Sequence, residues 1–269
     1  MRKVPYKQAR VPEVRKPVLT GSWHGKDAYR LGRKVMLGTA MVSVVYPLLS
    51  IMLSFDSVAV RLVLALALVL GAAASLYTMG VQNGTGDAAF AEIMYQRYAE
   101  GKEIPPAERE RCYHPQKGFF AALLGAAPFI LVAAVFAFIT GPSYYTLSPL
   151  PGWVQNLWRV NEFGDALGYY QARAGFGAMD IYRIITRAMV MPFVNVAMPL
   201  GESAVLWVER LSPLFVCVAP FGFGLGYTKG LAARSQIHAA IEIGERKKRR
   251  KARREKKRRM ESKTPERLI

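Results

Sequence analysis

Apolar positions in this chain gather into long blocks separated by polar or basic stretches. Residues 35–55 run for 21 positions without a charge, 58–79 carry Arg61 as their only charge, 118–140 are uncharged over 23 positions, and 211–228 form the last clean block. A 21-residue helix rises about 31 Å, the thickness of a bilayer's hydrocarbon core. Open backbone polar groups are not tolerated in lipid, so each block is predicted to be helical. Asp56-Ser57 reads as a tight turn joining the first two blocks into a hairpin, and Arg61 is expected to snorkel to the headgroups.

The intervening stretches are shorter and mixed. Phe90, Ile93, Met94 and Tyr98 recur at helical spacing, predicting a short amphipathic helix over 87–100 that ends before Pro105-Pro106. Asn83-Gly84-Thr85 fits a glycosylation sequon and is read as a polar turn. The segment 141–210 opens with Gly/Pro/Ser turns. It is rich in Trp and Tyr (Trp153, Trp158, Tyr144, Tyr145, Tyr169, Tyr170), which favour the membrane–water interface. Asp180, Arg183 and Arg187 form a polar stripe on a further short helix. Residues 188–208 are apolar but interrupted by Pro192, Asn195, Pro199, Gly201, Glu202 and Ser203, which predicts a re-entrant or interfacial segment.

Composition sharpens this picture. Apolar residues make up 52% of the 269 while the formal net charge is +18, and the two are segregated along the chain. That combination excludes a disordered chain, a collagen and a disulfide scaffold, and argues against an ordinary soluble enzyme. Residues 1–34 hold 10 Lys/Arg, 81–117 hold 5, 141–210 hold 5 over 70 positions, and 229–269 hold 16. Basic segments favour the cytoplasm. Four spans (35–55, 58–79, 118–140, 211–228) put both termini inside and 141–210 outside; a fifth would place the most basic segment outside. Residues 1–34 lack an apolar signal core, so the first block is expected to act as a signal anchor.

The expected fold is therefore an all-α integral membrane protein of the cell membrane, a four-transmembrane-helix bundle. Its parts are a basic cytoplasmic segment 1–34, a membrane domain 35–230, and a polybasic helical tail 231–269. Cys112 and Cys217 are far apart and expected to be reduced thiols.

The candidate functional residues fall into three groups. Gly222, Gly226 and Gly230 are spaced by four, a small-residue ridge that lets a second helix backbone approach, within the chain or across a homo-oligomer or partner-protein face; Gly118, Ala122 and Ala126 repeat the pattern. Asn195 and Glu202, with Glu209 and the prolines 192, 199, 213 and 220, mark broken helix of the kind that holds substrate in transporters. The tail stretch 246–260 contains Arg246, Lys247, Lys248, Arg249, Arg250, Lys251, Arg253, Arg254, Lys256, Lys257, Arg258 and Arg259, and no aromatic residue. It can neutralise phosphates of anionic lipid headgroups or RNA but cannot stack on bases. From Gly230 to Arg246 a straight helix would rise about 24 Å, beyond the Debye length of about 8 Å. Laying the tail on lipid thus calls for a bend, most readily at Gly244.

No cofactor or metal is expected. Cys112 and His114 are too few for a zinc site, and phosphate-loop, nucleophile-elbow and zinc-protease signatures are missing from the sequence. The expected function is a non-catalytic accessory or interaction component of the membrane. The alternative is a small transporter or channel subunit that uses region 188–228.

Overall fold

The structure, a computed structural model, describes residues 16–52, 55–141 and 178–261. All regular elements among them are helical. In chain order they are α1 (Lys26–Met52), α2 (Val58–Ala99), α3 (Pro106–Arg111), α4 (Lys117–Ile139), α5 (Ala178–Met189), α6 (Met191–Ala197), a 3-10 turn (Met198–Leu200), α7 (Glu202–Thr228) and α8 (Gly230–Glu261). The expected aromatic segment at 142–177 lies outside the described residues.

Among the described residues three helices, α2, α4 and α7, are long and apolar enough to cross a membrane. The count rises to four if the bent pair made by α5 with the Met191–Leu200 stretch is taken as one span. That pair turns by 96° around Val190, which suits either a broken span or a re-entrant loop. Residues 35–52 of the first expected block lie within α1, which is not one of those three helices; it starts at Lys26 and so takes in basic residues assigned above to the N-terminal segment.

Three sequence expectations are corrected. The amphipathic helix at 87–100 is not separate: α2 runs unbroken for 42 residues, about 63 Å at the helical rise. The Asn83-Gly84-Thr85 turn does not exist. Asn83 donates from Nδ2 to the Met79 carbonyl at 2.7 Å, and Thr85 from its hydroxyl to that of Val81 at 2.7 Å, so both polar groups are satisfied by their own helix. Pro213 and Pro220 do not break α7, which passes through both; the interruption falls at Gly201, whose φ of 103° lies in the region glycine favours.

The chain forms two compact units. Unit 1 comprises the described residues within Met1–Ala28, Tyr77–Phe120 and Gly224–Ile269. Unit 2 comprises Tyr29–Leu76 and the described residues within Ala121–Phe223. In unit 2, Ala133, Met189, Val190, Val194 and Val216 are buried together, and Phe193 stacks on Phe215 at 4.1 Å. Its outward side chains are large and apolar: Leu48, Leu70, Leu131, Phe138 and Leu214 are all exposed, Phe138 at 92%. In unit 1 the segment before α1 packs against α2 and the α3–α4 connection, with Leu19 donating to the Ala91 carbonyl and Gly21 to that of Tyr113.

Candidate functional site

The glycine ridge is a line of close backbone contact. In unit 2 a side chain on Gly222 would collide with the Ala73 carbonyl. In unit 1 one on Gly226 would collide with the Tyr77 carbonyl and one on Gly230 with the backbone of Gly84. Gly84 faces the Tyr227 carbonyl and Gly118 the Tyr227 ring, while Ala122 and Ala126 are buried. Glycine at each place removes the side chain that would hold the backbones apart.

Sequence reasoning missed the centre of unit 1. Lys117, counted above as a loop cation, is fully buried. Its Nζ lies 2.7 Å from Asp27 Oδ2 and 3.2 Å from Asp87 Oδ2, and donates to the carbonyls of Glu110 at 2.9 Å and Cys112 at 3.3 Å. Tyr227 donates to the same Asp87 oxygen at 2.6 Å and stacks on Tyr113. A buried cation held by two carboxylates and two carbonyls is a fastening, its charge more than balanced inside the protein. One signal was available in the sequence: Gly84, Ala88 and Ala91 share a helical face with Asp87, small residues that admit a partner helix to the carboxylate. Cys112 lies against this centre, and burial pushes its thiol up to about 11, so it is a poor nucleophile. Among the described residues no three His, Cys, Asp or Glu side chains gather as a metal site.

Among the buried polar residues of unit 2, Glu209 and Asn195 tie separate helices together. Glu209 of α7 is 2% exposed and accepts from Arg187 Nε at 2.7 Å and from the Thr140 hydroxyl at 2.9 Å, with Arg183 Nε at 3.7 Å. The Asp180, Arg183 and Arg187 stripe on α5 is thus turned to account by a carboxylate on another helix. Asn195 of α6 donates to the Ser50 carbonyl at 3.1 Å, and Arg61 donates to the Asn195 carbonyl and side-chain oxygen at 3.2 and 3.3 Å. Arg61 also donates to the Phe55 carbonyl. The expectation that Arg61 simply snorkels is corrected, because Asn195 offers it two acceptors. Glu202 is exposed at the start of α7 and shares no hydrogen bond with the buried Asn195 of α6, so the two proposed path residues are not joined.

The basic stretch lies on α8, whose helical hydrogen bonding continues through Gly244 to Glu261. Arg246, Lys247, Lys248, Arg249, Arg250, Lys251, Arg253, Arg254 and Lys256 are all exposed. Lys257, Arg258 and Arg259 continue the helix, with side chains outside the described set. Two acids pair with this run, Glu242 with Arg246 at 3.7 Å and Glu245 with Arg249 at 3.8 Å, both one turn apart. Exposed pairs of this kind contribute little energy, so the cations stay open to an external anion.

Nearer the start of α8, Arg234 meets Glu92 Oε2 at 3.0 Å and His238 meets Oε1 at 2.8 Å. Burial acts to raise the Glu92 carboxyl, but the hydrogen bonds from Arg234 and His238 and the Arg234 charge outweigh it and hold it below the ordinary carboxylate value.

No protein-family model, no curated protein and no solved structure matches this chain.

Proposed function

We propose that the chain is a non-catalytic multi-pass membrane protein, an accessory or interaction component whose basic helix binds polyanionic surfaces, anionic lipid or RNA. Four spans at 35–55, 58–79, 118–140 and 211–228 leave both termini in the cytoplasm. The membrane reading draws support from the large apolar side chains that unit 2 turns outward, which a water-soluble surface rarely carries in such number. The observation that carries the function is the exposed run of cations on α8, set at every angle around the helix. A surface of that kind neutralises phosphates by charge alone, each contact releasing a counterion, and it has no side chain that could read a base.

The test is flotation with anionic vesicles and filter binding with RNA, on the same full-length protein. Wild type should bind with a steep salt dependence and no preference for RNA sequence. Changing Lys247, Lys248, Arg249 and Arg250 to Gln should weaken binding by roughly 1 kcal/mol for each charge that lies near the surface. Absence of measurable binding to either ligand at physiological salt would leave the tail as a topology signal only. Orientation is tested separately with single cysteines at positions 143 and 262: an impermeant reagent applied to intact cells should label the first and spare the second.

A second reading, a small transporter or channel subunit using 188–228, has one observation on its side, the buried Glu209 carboxylate held by Arg187. Proteoliposomes that carry no ion or proton flux sensitive to Glu209→Gln would remove it.

A further inference from the structure

A cleft of about 320 Å³ opens in unit 1 at the root of α8, apart from both the basic tail and the buried groups of unit 2. The segment before α1 supplies Lys16 and Val18, α2 supplies Glu92, and the chain from α7 into α8 supplies Thr228, Lys229, Leu231, Ala232 and Ser235. Glu92 would repel an anion were it alone, but Arg234 and His238 already engage both of its oxygens. Lys16 and Lys229 enter no ion pair among the described residues, so three cations face one carboxylate and two positive charges are in excess.

These features select the ligand. The excess charge calls for an anion of about two charges or a phosphodiester with a neighbouring polar group. The volume is at the small end for ligand sites, enough for a phosphate carrying a glycerol-sized substituent. None of the eight described lining residues is aromatic, so none of them offers a platform for a nucleotide base. Val18, Leu231 and Ala232 give it an apolar side against which a glycerol or the start of an acyl chain can lie. We propose that this cleft binds a phosphate group between Lys16 and Lys229, carried by an anionic lipid headgroup or by a small free phosphate ester. The site uses none of the tail cations, and it would stand if the tail bound nothing.

Native mass spectrometry of the full chain in neutral detergent tests this. The Lys247, Lys248, Arg249 and Arg250→Gln background removes much of the tail's contribution, and phosphatidylglycerol, phosphatidylcholine and glycerol 3-phosphate serve as probes. The parent should bind one phosphatidylglycerol in preference to phosphatidylcholine. Lys16→Gln with Lys229→Gln should weaken that binding at least tenfold, while Lys251→Gln with Lys256→Gln, the same charge change on the tail, should alter it less than twofold. Lys16→Arg with Lys229→Arg should retain binding. Displacement of the lipid by glycerol 3-phosphate identifies the occupant as any small phosphate ester; resistance to displacement identifies it as lipid. Both lysines are exposed, and circular dichroism checks that the Gln pair folds; if it does not, Lys229→Gln alone is measured against the same threshold. Equal binding by parent and Gln variant, or no preference of the parent for either net-anionic probe over zwitterionic phosphatidylcholine, overturns the proposal.

Discussion

The hydroxyl of Tyr227 donates to Oδ2 of Asp87 at 2.6 Å, joining positions 140 apart in the chain. The same carboxylate oxygen faces Lys117, so one acid fastens two further segments of unit 1. Removing the cation should be the costliest change here. Lys117→Met would leave Asp27 and Asp87 buried together without it, at about 3–5 kcal/mol. Tyr227→Phe removes one hydrogen bond to a charged group, about 1.5–3 kcal/mol. Asp87→Asn leaves Lys117 its closer partner, Asp27 at 2.7 Å, and should also cost less than Lys117→Met. Thermal unfolding in detergent gives the ranking, and a Lys117→Met protein no less stable than Tyr227→Phe would contradict it.

Gly226→Leu should destabilise by about 1–3 kcal/mol or more, because the added side chain enters the space of the Tyr77 carbonyl. Leu225 is 43% exposed next door, and Leu225→Ala should stay within about 0.5 kcal/mol. Equal losses in a melting assay would remove the packing argument.

Gly244→Ala should do the reverse. Nothing lies within 4 Å of where its side chain would go, and alanine in a helix interior is favoured over glycine by about 0.5–1 kcal/mol. Circular dichroism should show equal or greater helicity. Because α8 is continuous at Gly244, RNA binding should not fall; a fall in lipid binding alone would show that a bend there lays the tail on the membrane.

Glu92 sets a pH dependence. Its carboxyl is held below the ordinary 4.5, so it contributes stability that is complete above that value and is lost as the pH falls through the lower folded value. Wild type should therefore exceed Glu92→Gln in stability at pH 7, with the gap closing below about pH 4.5. A gap that widens on acidification would reverse the assignment.

The long apolar blocks at 58–79, 118–140 and 211–228 were legible because lipid-length helices need uncharged sequence and little else. What the sequence hid is pairing. Lys117 reads as one more basic residue at the edge of a span until Asp27 and Asp87 are brought to it. Gly84 beside Asn83 reads as a turn, since the same residues serve turns and close helix crossings, and only the Tyr227 carbonyl tells which applies. Arg61 looked like a snorkelling cation because Asn195 lies 134 positions away. The run of cations on α8 needed no partner to be seen, and it was plain from composition.

The continuity of α2 has a consequence for how the gene can vary. Between Val58 and Ala99 there is no loop in which to absorb an added or lost codon. One inserted residue would turn everything beyond it by about 100° relative to everything before it. Placed between Tyr77 and Gly84, within unit 1, it would put the face bearing Gly84 and Asp87 out of phase with Tyr77, whose carbonyl Gly226 approaches. Substitutions can accumulate along this helix, but length changes should be confined to its ends, with the short stretch 100–105 before α3 as the nearest place where an insertion leaves the phase intact.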